Sequence, residues 1–207
     1  MIKPYAPYDF MPPIRTFSVT SESLANGEQV AQEQVSGILG AGRSDISPQL
    51  TWAGFPEETW NFTVSMFDPD VPTASGFWHW AVANLPASVT DLPTGAGDGK
   101  DLPGGAVTLA NDAGRRRYLG PATPPGNGPD RYFLVVQAVD VEALEVSGET
   151  TPLTSNSSCS AMHLRERPRT APLNGPRTNG TWARRHELRR CPQDDGSRAT
   201  VNTRPKS

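Results

Sequence analysis

The chain has 207 residues, which is enough for one domain with a well-buried core plus an appendage. Proline and glycine are frequent, at 21 and 19 residues, and this predicts many turns and short strands. Residues 1–150 carry 18 acidic against 8 basic side chains, a balance that argues against a nucleic-acid-binding surface there. No run reaches the roughly 20 apolar residues of a membrane span, so no span is expected.

The N-terminus and the cysteines indicate the compartment. Residues 1–13 contain one lysine and no apolar run of signal-peptide length. Both cysteines, Cys159 and Cys191, follow residue 150, so the first 150 residues carry no disulfide and no thiol chemistry. We therefore expect a cytoplasmic protein.

Strand patterns dominate residues 14–140. Apolar and polar residues alternate in three segments, and two later segments are almost continuously apolar, as in strands buried on both faces. In chain order these segments are residues 17–21, 49–52, 62–67, 77–85 and 132–139. Glycine and proline turns separate them and helical periodicity is scarce, so residues 1–150 are predicted to form a mainly β domain, a sandwich or barrel with few short helices. The expected buried core includes Phe62, Val64, Met66, Val82, Leu85, Val135 and Val136.

Residues 151–207 differ in composition from the predicted domain. Only five of them are Leu, Ile, Val or Phe, and 11 basic side chains stand against 4 acidic ones. Such a segment buries too little apolar surface to offset its chain entropy, so we predict a disordered tail. Its basic charge leaves an alternative, a nucleic-acid-binding arm, whose binding would be steeply salt-dependent and lost with the tail. We do not favour nucleic acid as the partner.

The first motif with chemical content is the segment 68–80, where the only histidine before residue 163 follows an Asp-Pro-Asp turn. Strand alternation places Phe77, His79, Ala81 and Ala83 on one face, which leaves room beside the imidazole. The carboxylate of Asp68 or Asp70 is expected to approach His79, to favour its imidazolium form and to create an anion site together with backbone N–H groups.

Simpler roles are open for each part of this motif. Asp-Pro-Asp forms a good turn by itself, because aspartate side chains accept hydrogen bonds from backbone N–H groups. A single strand histidine is more often a satisfied structural group than a ligand, and Trp78 and Trp80 are most simply core residues. The cluster is polar on strands that are otherwise apolar, which favours a functional role.

The second motif is the loop 118–132, Tyr-Leu-Gly-Pro-Ala-Thr-Pro-Pro-Gly-Asn-Gly-Pro-Asp-Arg-Tyr. Its prolines stiffen the loop, its glycines allow the backbone to approach a ligand, and an Arg-Tyr pair begins the next strand. Arg131 is equally suited to binding a ligand and to pairing with a nearby acid.

Together the two motifs resemble the phosphatidylethanolamine-binding protein family, in particular its bacterial Raf-kinase-inhibitor-like branch. The resemblance covers roughly residues 15–145 and includes Ser-Pro-Gln-Leu-Thr-Trp at 47–52 and Asn-Leu-Pro at 84–86. It implies an antiparallel Greek-key β-sandwich that binds a small phosphorylated or anionic ligand, needs no cofactor and has a kinase or protease as a protein partner. The residues it places in the ligand pocket are Asp68, Pro72 and His79 on one wall, and Gly120, Pro124, Pro125 and Tyr132 on the other. From the residues themselves, Asp70 and Arg131 are further candidate ligand-binding residues.

The chain departs from the family pattern in two places. Asp130 stands where the family usually has a histidine before Arg-Tyr, and this change should weaken anion binding by about 1 kcal/mol or more if the site is partly buried. Residues 151–207 do not match the family's closing strand and helix. Reading the codons of residues 155–168 from their third base permits an apolar segment ending in Arg-Ala-Thr, so we hypothesise a frameshifted tail, which the nucleotide sequence would test.

A weak hydrolase is the alternative function, with His79 as base and Asp68 as the residue that orients it. Residues 1–150 contain no Gly-x-Ser-x-Gly motif, no cysteine and no second histidine, so neither a positioned nucleophile nor a zinc site is predicted. A serine oxygen within hydrogen-bonding distance of His79 would favour the hydrolase.

Overall fold

A computed structural model describes residues 7, 15–38, 44–122, 130–150, 152 and 161–165. These residues contain eight β-strands and a 3₁₀ helix at Ala96–Asp98. The strands are β1 (Ser18–Thr20), β2 (Leu50–Ala53), β3 (Asn61–Asp68), β4 (Phe77–Pro86), β5 (Asp91–Leu92), β6 (Val107–Thr108), β7 (Phe133–Val139) and β8 (Ala161–Arg165).

The strands form two sheets in which every paired neighbour is antiparallel. The smaller sheet has the order β1-β2-β5, and the larger has the order β6-β4-β3-β7-β8. Their facing side chains make one hydrophobic core, in which Leu50 and Trp52 of the small sheet lie with Phe62, Val82 and Val136 of the large one. This is the two-layer arrangement that sheets with one apolar face adopt.

Strands β3, β4 and β7 are buried on both faces. The continuous apolar sequences of β4 and β7 predict this. The alternating sequence of β3 does not, because its polar Thr63 and Ser65 are buried as well. Behind the main core, Ala81 and Ala83 pack with Leu109 in a second cluster, against which Leu144 and Val146 also lie. The predicted mainly β, antiparallel sandwich is therefore confirmed, and each of the seven predicted core residues is at most 2% exposed.

Strand β8 corrects one expectation about the tail. The backbone of residues 161–165 pairs with β7 from Phe133↔Arg165 to Gln137↔Ala161, so the prediction of a tail without regular structure is wrong for these five residues. Their composition suggested disorder, but a strand edge offers backbone partners to any sequence. The remaining tail residues, and with them the frameshift hypothesis, lie outside the described residues, and a domain boundary at residue 150 stays a prediction. No helix among the described residues is long and apolar enough to cross a membrane.

Candidate functional site

The site begins where β3 ends, at a buried carboxylate. Asp68 is 2% exposed. Its Oδ1 accepts hydrogen bonds from the backbone N–H groups of Asp70, at 2.7 Å, and Val71, at 3.1 Å. The predicted Asp-Pro-Asp turn is thus present, and it uses only one oxygen of Asp68. The other oxygen, Oδ2, lies 4.0 Å from Nε2 of His79.

His79 lies at an irregularity of the β3–β4 ladder. Met66 pairs with Trp80 and Phe67 pairs with Trp78, so His79 is an extra residue on β4. Such a β-bulge bends its strand and redirects a side chain. The His79 ring contacts those of Phe77 and Tyr132, with ring centroids 4.8 and 5.4 Å away.

The bulge corrects the predicted alternation along β4. Ala81 and Ala83 do not lie beside His79, because they belong to the second apolar cluster with Leu109. Trp80 packs in the main core, whereas Trp78 contacts Phe67, with ring centroids 4.6 Å apart and the rings tilted by 41°. The imidazole therefore contacts the aromatic rings of Phe77 and Tyr132 instead of the small side chains that alternation predicted.

One hydrogen bond fixes the state of the His79 ring. Nδ1 lies 2.8 Å from the carbonyl oxygen of Leu119, which can only accept, so Nδ1 carries a proton. The backbone of Leu119 also donates to the carbonyl of His79 at 3.0 Å. In the neutral imidazole Nε2 is then an acceptor, and it faces the Asp68 carboxylate.

The electrostatics of this pair differ from the prediction of an imidazolium. Burial lowers the pKa of His79 to about 4, although backbone hydrogen bonding to Leu119 and Gly120 and the charge of Asp45 act in the opposite direction. Burial also raises the pKa of Asp68 to about 6, helped by the charges of Asp130 and Asp70. At neutral pH His79 is uncharged and the pair carries the negative charge of Asp68. The predicted charged histidine is wrong because desolvation outweighs the backbone hydrogen bonds and the charge of Asp45.

Asp70 and Arg131 bind each other. The guanidinium donates from Nε to Oδ2 at 2.6 Å and from Nη2 to Oδ1 at 2.7 Å, and the backbone N–H of Arg131 also donates to Oδ2, at 3.0 Å. Burial disfavours ionisation of Asp70, but the hydrogen bonds and charge of Arg131 outweigh it and lower the pKa of Asp70. This ion pair joins the β3–β4 loop to the entry of β7, as in the second of the two roles predicted for Arg131.

The second predicted wall is only partly described. Tyr132 lies against His79, whereas Pro124 and Pro125 lie outside the described residues. Pro72 is exposed in the β3–β4 loop. A side chain at Gly120 would place its Cβ 2.0 Å from the carbonyl oxygen of Gln34, so glycine is required there by the packing of the backbone.

Sequence reasoning missed Asp45 and Leu119. Asp45 lies in a stretch expected to be only a turn, yet its Oδ1 accepts from the N–H of Gly120 at 2.7 Å and its charge acts on His79. Leu119 contributes only its backbone, which no residue type reveals. Asp130 was identified from the sequence as a departure from the family pattern, and its charge acts on Asp68.

Three consecutive arginines lie at the same end of the sheet as the Asp68–His79 pair. The loop 112–117 is tied to β4 because the side-chain amide of Asn111 donates to the carbonyls of Arg117, at 3.0 Å, and His79, at 3.4 Å. Arg116 pairs with Glu149. In the part of the chain that the structure describes, Arg115 and Arg117 form no ion pair and are exposed.

The described residues contain no group of three or more His, Cys, Asp or Glu side chains that could hold a metal ion. A cavity of about 520 Å³ opens around β5 and the 3₁₀ helix, and it is lined by Asp91, Asp98 and Lys100 among others. Neither Asp68 nor His79 lines it. The candidate site is thus a buried carboxylate–imidazole pair under a hydrogen-bonded loop.

The model of the phosphatidylethanolamine-binding protein family matches residues 20–167. The chain belongs to this family. Protein YbcL of Escherichia coli strain K12 is 44% identical over 144 residues, which are 69% of this chain and 75% of YbcL. Protein YbhB of the same strain is 39% identical over 127 residues, 61% of this chain and 80% of YbhB.

Solved structures of this family have the same fold. The crystal structure of E. coli YbcL, a member of the mammalian PEBP family, matches with a TM-score of 0.71 at 36% identity, over 76% of this chain and all of that one. Protein CT736 of Chlamydia trachomatis matches with a TM-score of 0.60 at 26% identity, over 75% of this chain and 99% of that one. The family resemblance drawn from the two sequence motifs is confirmed.

Proposed function

We propose that the chain binds a small ligand with a phosphate- or phosphoester-type group at the Asp68–His79 pair, and that binding is coupled to a proton. The observation that carries this proposal is that two buried acceptors, Nε2 of His79 and Oδ2 of Asp68, face each other at 4.0 Å. Two facing acceptors are satisfied when a hydrogen-bond donor lies between or beside them.

A phosphate-type anion can be accommodated in two equivalent ways. Either the ligand brings a P–OH group that donates to Nε2 or Oδ2, or Asp68 takes up a proton and donates to a phosphate oxygen. In both cases the pair and the ligand together carry one proton more than at neutral pH. Because the pKa of Asp68 is about 6, anion binding should strengthen as the pH falls through that value.

The exposed arginines of the loop 112–117 favour an anionic ligand. The residues of the site that the structure describes carry a net negative charge at neutral pH, which by itself repels anions. Arg115 and Arg117 are exposed, and their loop is hydrogen bonded to the backbone of His79 through Asn111. Exposed cations at the edge of a small site attract anions over a distance of about one Debye length, roughly 8–10 Å.

The name of the family agrees with this ligand class. A phosphatidylethanolamine head group is a phosphoester with an ammonium group, and an ammonium is itself a donor suited to two facing acceptors. Regulation of a kinase or protease, which the resemblance implied, and a cytoplasmic location stay predictions.

We infer a binding role in preference to the weak hydrolase. The side-chain hydrogen bond of His79 goes to the carbonyl of Leu119, and no serine oxygen hydrogen bonds to His79 among the residues that the structure describes. A general base needs an activated nucleophile within reach, and the neighbour of Nε2 is instead a carboxylate. A turnover that is well above background and disappears in His79→Ala would reverse this preference.

Calorimetric titration with two anions tests the proposal. Sulfate takes up no proton near neutral pH, whereas phosphate monoesters titrate near pH 6, so pH dependence seen with sulfate belongs to the protein. We expect sulfate and O-phosphoethanolamine to bind the wild type at least several-fold more tightly at pH 5 than at pH 7.5. Asp68→Asn, which imitates the protonated acid, should bind sulfate with little pH dependence.

The control for this titration is Asp91→Asn, which removes the same charge from the other sheet and should keep the wild-type pH dependence. His79→Gln should weaken binding of both anions. Equal affinities for all four proteins at each pH, or no binding to the wild type at millimolar anion, would contradict the proposed site.

A further inference from the structure

An exposed tryptophan lies at the end of β3 opposite to the Asp68–His79 pair. Trp60 is 60% exposed, whereas the other described tryptophans, Trp52, Trp78 and Trp80, are at most 9% exposed. Val141, 45% exposed, lies on the chain segment that leaves β7 beside it. Tryptophan is enriched among the few residues that contribute most of the binding energy in protein interfaces.

The backbone holds both side chains in place. The N–H of Trp60 donates to the carbonyl of Val139 at 2.8 Å, and its carbonyl accepts from Ala87 at 3.1 Å. The side-chain amide of Asn61 donates to the carbonyl of Val141 at 2.7 Å. The indole is thus presented by an anchored continuation of the sheet, so little conformational entropy is lost when a partner contacts it.

The surroundings of this tryptophan are acidic. Four exposed carboxylates belong to the same two chain segments: Glu57, Glu58, Asp140 and Glu142. Residues 44–62 and 132–150 contain no lysine and no arginine. Arg15 lies 3.7 Å from Glu58, but both side chains are more than half exposed, so this ion pair is weak.

We propose that this acidic tryptophan surface, formed by Trp60, Val141 and the four carboxylates, binds an arginine-rich segment of another protein. A guanidinium can stack on the exposed indole while its N–H groups donate to a carboxylate, a combination that lysine matches poorly. Strand β3 has eight residues, so the surface lies about 27 Å along the strand from Asp68. The interaction is therefore separate from anion binding at the Asp68–His79 pair and does not depend on it.

Fluorescence anisotropy with three labelled octapeptides tests this proposal on the full chain. In the peptides leucine alternates with arginine, with lysine or with glutamate. We expect the arginine peptide to bind more tightly than the lysine peptide, and the glutamate peptide not to bind. Trp60→Ala should weaken the arginine peptide at least tenfold, as substitution of a central aromatic residue does in other interfaces.

Further variants separate stacking from general electrostatic attraction. Trp60→Phe should retain part of the affinity, whereas the double variant Asp140→Asn, Glu142→Gln should lower it several-fold. Ile38→Ala is the matched control, because Ile38 is an exposed apolar residue on a different segment, 42% exposed. The proposal is overturned if the wild type does not bind the arginine peptide, if Trp60→Ala binds as well as Ile38→Ala, or if lysine and arginine peptides bind equally.

Discussion

The central interaction of the site is a carboxylate beside a neutral imidazole, and each partner changes the other's surroundings. The histidine is neutral because burial among Phe77, Tyr132 and the Leu119 loop removes the water that would solvate an imidazolium. Burial raises the pKa of Asp68 to about 6, and the hydrogen bonds from two backbone N–H groups act in the opposite direction by favouring the ionised form. The pair is therefore poised to take up a proton below pH 6.

His79 and Asp68 should change the free energy of unfolding in opposite directions as the pH changes. The folded-state pKa of His79 lies below its usual 6.5, so its contribution is present above pH 6.5 and is lost as the pH falls to about 4. The folded-state pKa of Asp68 lies above its usual 3.8, so its contribution is present below pH 3.8 and is lost as the pH rises to about 6. Each shift corresponds to about 3 kcal/mol at most.

In the wild type these opposite contributions should nearly cancel between pH 4 and 6. Asp68→Asn leaves the His79 contribution alone, so its free energy of unfolding should fall towards acid relative to the wild type. His79→Gln leaves the Asp68 contribution, so its stability should rise towards acid. Urea unfolding at pH 4.5 and 7 measures both slopes, and parallel slopes for the two variants would show that the pKa directions are wrong.

The charge of Asp130 should oppose anion binding. Because it raises the pKa of Asp68, Asp130→Asn should lower that pKa, which by itself disfavours the protonated Asp68 that binds sulfate. The variant also removes a repulsion acting on the ligand, and this second effect should dominate at pH 5, which lies below the Asp68 pKa of about 6. We expect sulfate to bind about fivefold more tightly at pH 5, which corresponds to roughly 1 kcal/mol. Asp91→Asn serves as the control for the loss of one negative charge. Weaker binding in Asp130→Asn than in that control would show that Asp130 supports the site.

At the scale of elements, the site depends on loops held by a few contacts. The loop after Tyr118 packs so closely on residues 34–36 that a Cβ at Gly120 would meet the carbonyl of Gln34 at 2.0 Å. The β3–β4 loop is held to the entry of β7 by Asp70 and Arg131. The strand ends and these loops together bring Asp68, His79 and Leu119 to one place.

Gly120→Ala should destabilise the fold by about 3 kcal/mol or more, because backbone atoms cannot move aside as a flexible side chain can. Gly104→Ala is the matched control, since a Cβ there meets nothing within 4 Å, and its effect should stay within about 0.5 kcal/mol. Thermal unfolding measures the difference, expected to be roughly 6–12 °C. Similar melting temperatures for the two variants would contradict the packing at Gly120.

At the scale of the whole molecule, β3 is enclosed on both faces and along both edges. It pairs with β4 on one side and β7 on the other, and all eight of its residues are buried. We predict that the amides of β3 exchange with solvent slowest and report global unfolding, whereas those of β1 and β5 exchange through local opening. Hydrogen exchange followed by NMR tests this order, and faster exchange in β3 than in β1 would contradict it.

The sequence predicted the β-sandwich because strands and turns are indicated by short stretches of neighbouring residues. The continuous apolar sequences at 77–85 and 132–139 favour strands that are buried on both faces. Glycine and proline turns mark where the predicted strands begin and end. The family and the residues of the Asp68–His79 pair followed from two ordered motifs. The prediction of disorder was wrong at residues 161–165. Their backbone pairs with the edge of β7, and backbone pairing of this kind is open to any residue type.

The residue types alone also predicted that a carboxylate, a histidine and a Gly/Pro loop would meet in one place, and Asp68, His79 and Leu119 at the start of that loop do so. Only the tertiary structure decided how they meet. The bulge moved His79 away from Ala81 and Ala83, and burial made it neutral, because desolvation depends on every group packed around the ring. The partners Leu119 and Asp45 act through a backbone carbonyl and a distant charge, which no spacing along the chain reveals. Charge state and side-chain direction are properties of the packed environment, whereas strand and turn propensities belong to the local sequence.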